Sequence, residues 1–159
     1  MASPLPGHGR AHYRFGFCDM TIHYSTPATA LGGRSGSAAT ADGRLRVELS
    51  SPARLGGDDG PGTNPEQLFA AGFAASFLSA IKTVARQEKV AIANDSNVTA
   101  TVGIGPNDDG EGFVLSIALS IDLPGLDVAT ADVVVRRAHD MCPYSNATRG
   151  NVDVKLRVN

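Results

Sequence analysis

Between residues 64 and 88 the apolar side chains Leu68, Phe69, Phe73, Phe77, Ala80, Ile81 and Val84 recur at three- and four-residue spacing. After Glu66, charge returns only at Lys82. This is a helical period, and its apolar breadth predicts a central helix buried on most sides. Asn64-Pro65-Glu66 is a strong start for it. The asparagine can cap, the proline presets φ, and the glutamate meets the positive end of the dipole. Ser76 lies mid-helix on the row Leu68, Gly72, Ser76, Ala80.

Elsewhere the period is two. Leu45, Val47 and Leu49 alternate with charged residues, and Val152, Val154, Leu156 and Val158 alternate with polar ones, as half-buried strands do. Strands are predicted over 98–105 and 113–123, joined by a hairpin turn at Pro106-Asn107-Asp108-Asp109-Gly110. A further strand is predicted over 21–31, ended by Gly32-Gly33-Arg34-Ser35-Gly36, and a loop over 52–63. A second helix is predicted from about Asp127 to Met141, with Ala131, Val134, Val135 and Ala138 inward. Pro143 is expected to end it by disfavouring helix at Cys142. The order predicts an α+β domain, its antiparallel sheets packed around a long central apolar helix.

Composition narrows the class. The 159 residues are 42% hydrophobic and 19% charged with a net charge of −2, which suits one globular domain and argues against nucleic acid or an anionic membrane as main partner. No unbroken apolar stretch approaches the roughly 18 residues of a transmembrane helix. Residues 1–19 lack apolar periodicity and an apolar signal core. They are read as a disordered extension, or as a start misassigned upstream of Met20, ahead of a domain at 20–159. Two cysteines, Cys18 and Cys142, do not make a secreted disulfide framework, so a cytoplasmic location is expected. The Asn-x-Thr matches at Asn97 and Asn146 carry little weight without a secretion route.

Two long motifs carry the chemistry. Asn64-Pro65-Glu66-Gln67-Leu68-Phe69-Ala70-Ala71-Gly72-Phe73-Ala74-Ala75 resembles the central-helix signature of the organic hydroperoxide resistance proteins of the OsmC superfamily. Cys142-Pro143-Tyr144-Ser145-Asn146-Ala147-Thr148-Arg149-Gly150-Asn151 resembles their C-terminal signature, and Gly32-Gly33-Arg34 their glycine-arginine loop. The resemblance covers about residues 21 to 158. It implies an OsmC-like fold, an intertwined homodimer, and a thiol peroxidase that reduces organic hydroperoxides to alcohols without metal or cofactor. It also implies a dithiol reductant of lipoyl type. Cys142 matches the resolving position, and Arg34 and Glu66 match the polar pair serving the peroxidatic sulfur. At the peroxidatic position itself the chain reads Ala74-Ala75-Ser76-Phe77.

That difference is decisive for turnover. A thiol can be tuned to a reactive thiolate, whereas a serine hydroxyl has no route through sulfenic acid to a disulfide. Ser76 is therefore expected to keep the fold and abolish the activity. Two origins fit: a cysteine-to-serine substitution made to trap the site, and a paralogue that has lost or changed the activity. A non-catalytic binder of a lipid or hydrophobic metabolite is the alternative function.

Helix geometry adds a constraint. Glu66 and Ser76 are ten residues apart, about 15 Å along an unbroken helix. Either the helix breaks after its first turn, or the Arg34–Glu66 pair serves position 76 of a second subunit. Phe69, Phe73 and Phe77, with Leu78 and Ile81, offer an apolar wall for a lipid or aryl tail, although core packing accounts for most such residues. A helix C-terminus at Cys142 disfavours an anionic sulfur, which suits a resolving thiol. His139 is expected to pack or face solvent, Cys18 has no assigned role, and Gly103-Ile104-Gly105 lacks a nucleotide fingerprint.

Overall fold

The computed structural model describes residues 21–159; the segment 1–19, with Cys18, lies outside the described residues. The long helix forms as predicted. In α1 (Pro65–Glu88), Asn64 is the cap, accepting from the Gln67 amide at 2.9 Å, and Pro65 occupies the first turn. The helix is unbroken over its 24 residues, which removes the first of the two alternatives for Glu66 and Ser76. By length and composition α1 is long and apolar enough to cross a membrane, against the expectation from unbroken runs. Serine and glycine interleaved among its apolar residues hide this from a count of consecutive positions. Here its Phe73, Phe77, Ile81 and Val84 side chains are fully buried in the core.

That core lies between α1, α2 (Val128–Met141) and a sheet of β4 (Asn97–Pro106), β5 (Phe113–Asp122) and β6 (Val154–Val158), in the order β4-β5-β6. The two-residue period of the strands decides which side chains enter it. Val98, Ala100 and Val102 stand opposite Ile121, Leu119 and Ile117, which stand opposite Val158, Leu156 and Val154. Ile117, Leu119 and Ile121 are buried against the helices; each such side chain contributes about 1.5–3 kcal/mol.

One expectation is corrected here. β4 and β5 pair antiparallel, but β5 and β6 pair parallel. The chain between them runs through α2 and α3 (Pro143–Thr148), and a crossover of helix length carries the chain from the end of the sheet where β5 finishes back toward the end where it began. Pro143 ends α2 as predicted, with Cys142 extended before it, and it has a second role that the sequence reading did not give. It opens α3, where its missing N–H costs nothing. Cys142 is thus both the last cap of α2 and the first of α3, its backbone extended and its N–H donated to the Ala138 carbonyl.

The other sheet, β1 (Ala28–Leu31), β2 (Ser37–Thr40) and β3 (Arg46–Glu48), is antiparallel and packs chiefly on itself. β1 is shorter than the strand predicted over 21–31, because residues 21–27 find no ladder partner. β2 has no sequence forecast, since Ser-Ala-Ala-Thr carries no alternation. A bridge between Leu49 and Thr63 joins this part to the start of α1.

Candidate functional site

The candidate residues form two groups. The first joins the β1–β2 connection to the start of α1. Gly32 and Gly33 adopt φ of 71° and 60°, a left-handed backbone that glycine takes without strain, and the chain turns through a 3-10 segment at Gly33–Ser35. Arg34 is thereby aimed at Glu66. Nη1 donates to Oε2 at 2.9 Å and Nη2 to Oε1 at 2.6 Å, a bidentate fork. Glu66 is largely covered, its side chain 13% exposed, and Arg34 less so at 38%. Hydrogen bonding from the guanidinium holds the Glu66 carboxyl below its ordinary value, and burial opposes this. Glu66 in return raises Arg34 further. The pair is ionised at neutral pH. A cleft of about 490 Å³ opens beside it, walled in part by Leu55, Gln67, Ala70 and Ile104.

The second group lies deeper. Ser76 projects from the middle of α1 toward the α2–α3 junction, where its Oγ is 3.5 Å from the Cys142 Sγ. Cys142 is fully buried and is the free cysteine among the described residues. Its position at a junction replaces the simple helix terminus expected from sequence, because Pro143 permits an extended residue before it and a helix after it. Ten residues of continuous helix, about 15 Å, separate Glu66 from Ser76. Within one chain the ion pair and the Ser76–Cys142 pair are not brought together.

The aromatic wall is also redistributed. Phe73 and Phe77 have no exposed surface, because their helix face meets the sheet and α2; in this chain they are core. Ile81 is likewise buried, while Phe69 and Leu78 are partly covered. Tyr144, which packs against Phe69 and Phe73, is 36% exposed, and sequence reasoning gave it no role. Its only signal there was a place two residues after Cys142 in a motif. His139 lies on α2 with its ring centroid 6.4 Å from that of Phe77. Burial, then the nearby Arg149, lower its pKa while Asp140 raises it. Gly103 and Gly105 are β4 residues paired with Ser116 and Val114, an extended ladder and no phosphate loop. Among the described residues no three His, Cys, Asp or Glu side chains converge to hold a metal.

The family model described as OsmC-like protein matches residues 56–157. An organic hydroperoxide resistance protein of Xanthomonas axonopodis pv. citri is 49% identical over 135 residues, covering 85% of this chain and 94% of that protein. A crystal structure of an organic hydroperoxide resistance protein from Legionella pneumophila superposes with a TM-score of 0.82 at 47% identity, covering 87% of this chain and 99% of that one. Another from Vibrio cholerae, with captopril bound in one of the active sites, has a TM-score of 0.82 at 51% identity and covers 89% and 96%.

Proposed function

The chain belongs to the OsmC-like protein family, in its organic hydroperoxide resistance branch, and from that premise we propose that it is an organic hydroperoxide reductase scaffold whose attacking sulfur is replaced by Ser76. The observation that carries this reading is the 3.5 Å approach of Ser76 Oγ to Cys142 Sγ. A sulfur in place of that oxygen need move only about 1.5 Å to reach the ~2.05 Å of a disulfide.

With cysteine at 76 the cycle balances. The thiolate attacks one peroxide oxygen, the O–O bond breaks, and the other oxygen leaves with the organic group and takes up a proton to become an alcohol. The sulfur is left as a sulfenic acid. Cys142 Sγ attacks it, water leaves, and a disulfide forms. Two electrons and two protons from a lipoyl-type dithiol restore both thiols. Arg34 stabilises the thiolate and the charge on the departing oxygen, and Glu66 fixes the guanidinium plane. The serine hydroxyl cannot be oxidised in this way, so the chain as written does not turn over.

The Arg34–Glu66 pair acts on position 76 of a second copy in a homodimer. The unbroken α1 supports this, since no glutamate spans about 15 Å. So does the β1–β2–β3 sheet, whose β1 residues are all exposed in the single chain. Captopril bound in an active site of the Vibrio relative supports a pocket that accepts an organic molecule.

Ser76→Cys is expected to consume cumene hydroperoxide with dihydrolipoamide as reductant, while the parent chain does not. An inactive, well-folded Ser76→Cys would overturn the reading. The arrangement across subunits is tested by co-expressing the parent chain with an Arg34→Ala, Ser76→Cys chain. The parent is inactive alone and the double variant keeps only about one hundredth of the Ser76→Cys activity, and mixed dimers regain turnover well above that. Mixed dimers without that gain would return the pair to its own chain.

A further inference from the structure

Cys142 is the single extended residue, with φ −65° and ψ 125°, between α2 and α3. Pro143 opens α3 without loss but leaves a gap at the end of α2. A continuing helix would bond the His139 carbonyl to the N–H of residue 143, and proline has none. The donor comes instead from Arg149, ten residues on and just past α3. Its Nη2 donates to the His139 carbonyl at 3.0 Å and to the Asp140 carboxylate at 3.3 Å. The guanidinium is thus a C-terminal cap for α2 supplied from the far end of α3, and a cation there also meets the negative end of the α2 dipole.

Both ends of α3 are tied. The Cys142 N–H donates to the Ala138 carbonyl at 2.8 Å and the Cys142 carbonyl accepts from the Asn146 N–H at 2.9 Å. At the other end the Arg149 N–H donates to the Ser145 carbonyl at 3.0 Å, and Thr148 Oγ1 donates to the Tyr144 carbonyl at 3.0 Å. Cys142, the six residues of α3 and the Arg149 side chain therefore close a loop on the last turn of α2, with Cys142 at its corner. All of these bonds lie within one chain, so no second copy is needed to make them. Position 76 is held by other means. It stands between Phe73 and Phe77 on α1, both without exposed surface, in a close-packed interior that moves little. Closing the 3.5 Å gap to a bond of ~2.05 Å thus depends on where the corner places Cys142.

We propose that Arg149 is a positioning residue for the resolving thiol, clamping the end of α3 to the last turn of α2 so that Cys142 Sγ stays within reach of position 76. This rests on the peroxidase reading above and concerns the step in which the two sulfurs join. Arg149 acts through the His139 carbonyl and the Asp140 carboxylate, and the attack of position 76 on the peroxide does not depend on it. Misplacement of a reacting atom by a fraction of an ångström to 1 Å is enough to slow a step by tenfold or more.

The test is made on the full-length Ser76→Cys chain and has an arm that needs no peroxide. Equilibration with glutathione reads how well the two sulfurs are placed: glutathione disulfide takes up two electrons and two protons to become two thiols, and the two cysteines become one disulfide. Arg149→Ala is expected to lower the equilibrium constant for that disulfide about tenfold. Arg149→Lys is expected to restore part of it, since one nitrogen makes both bonds and an ammonium carries three donors. In single turnovers with cumene hydroperoxide, Arg149→Ala is expected to leave sulfenic acid formation at its rate and to slow disulfide formation about tenfold, so that dimedone captures the sulfenic acid. An unchanged glutathione equilibrium in Arg149→Ala, or equal slowing of both steps, overturns the proposal. Should Arg149→Ala not fold, Asp140→Ala decides in its place: with one of the two bonds gone, the equilibrium is expected to fall about threefold, and no fall overturns the proposal. A Ser76→Cys chain that forms the disulfide with glutathione but consumes no peroxide sinks the peroxidase reading alone.

Discussion

Two three-stranded sheets make up this chain, and they are held by different physics. The β4–β5–β6 sheet carries large apolar residues on one face, and α1 and α2 cover them, leaving Ile117, Leu119 and Ile121 at most 1% exposed. The β1–β2–β3 sheet carries Leu31 and Val47 as its only large apolar side chains, and none of its residues is buried. A three-stranded sheet with no apolar face to bury is marginal by itself. The candidate chemistry is divided between the two. Ser76 and Cys142 sit in the well-packed body, and Arg34 sits on the connection between the exposed β1 and the half-buried β2. The reacting atoms are thus held by the core, while the charge that would assist them is mounted on the least self-supporting part of the fold. Its anchors are the fork to Glu66 and the short bridge at Thr63.

Breaking the body should have the largest effect. Phe77→Ala removes a fully buried ring and is expected to cost about 3–5 kcal/mol, read from urea unfolding. A loss under about 1 kcal/mol would mean the core is not as closed as described. Cutting the link to the exposed sheet should act on function. Arg34→Ala in the Ser76→Cys chain is expected to lower kcat/KM on the order of 10²-fold. Its unfolding midpoint should stay near the parent's; a large drop would make Arg34 a structural residue.

The same comparison can be sharpened with acid. The Glu66 carboxyl titrates below its ordinary value of 4.5 because Arg34 bonds its charged form. The contribution of the pair is complete above that ordinary value and is lost as pH falls through the lower folded value. Amide exchange in Ser37–Thr40, corrected for intrinsic rate, should then quicken before exchange in Ile117–Ile121. Glu66→Gln should remove the difference. The smallest effect belongs to Leu31, 70% exposed on β1. Leu31→Ser should change the stability of one chain by no more than about 0.5 kcal/mol. If a second copy covers β1, it should nevertheless weaken dimerisation in sedimentation runs. Unchanged dimerisation would take β1 out of the interface.

Much of this was legible in the residues themselves. Asn64, Pro65 and the three- and four-residue apolar spacing determine α1, because capping and helical period are local properties. The alternation in Leu115 to Ile121 and Val152 to Val158 determines two core-facing strands for the same reason. The Gly32-Gly33-Arg34 turn and Glu66 could be singled out, along with Ser76 and Cys142. Only the tertiary structure decided how they meet. A period assigns a residue to a face but does not say what covers it, so Phe73 and Phe77 proved to be core while Tyr144, packed against Phe73, stays partly exposed. The Ser76–Cys142 approach spans 66 positions and the Arg34–Glu66 fork spans 32. Each depends on how whole elements pack. The parallel β6, likewise, follows from the helical crossover that precedes it and from no residue within the strand.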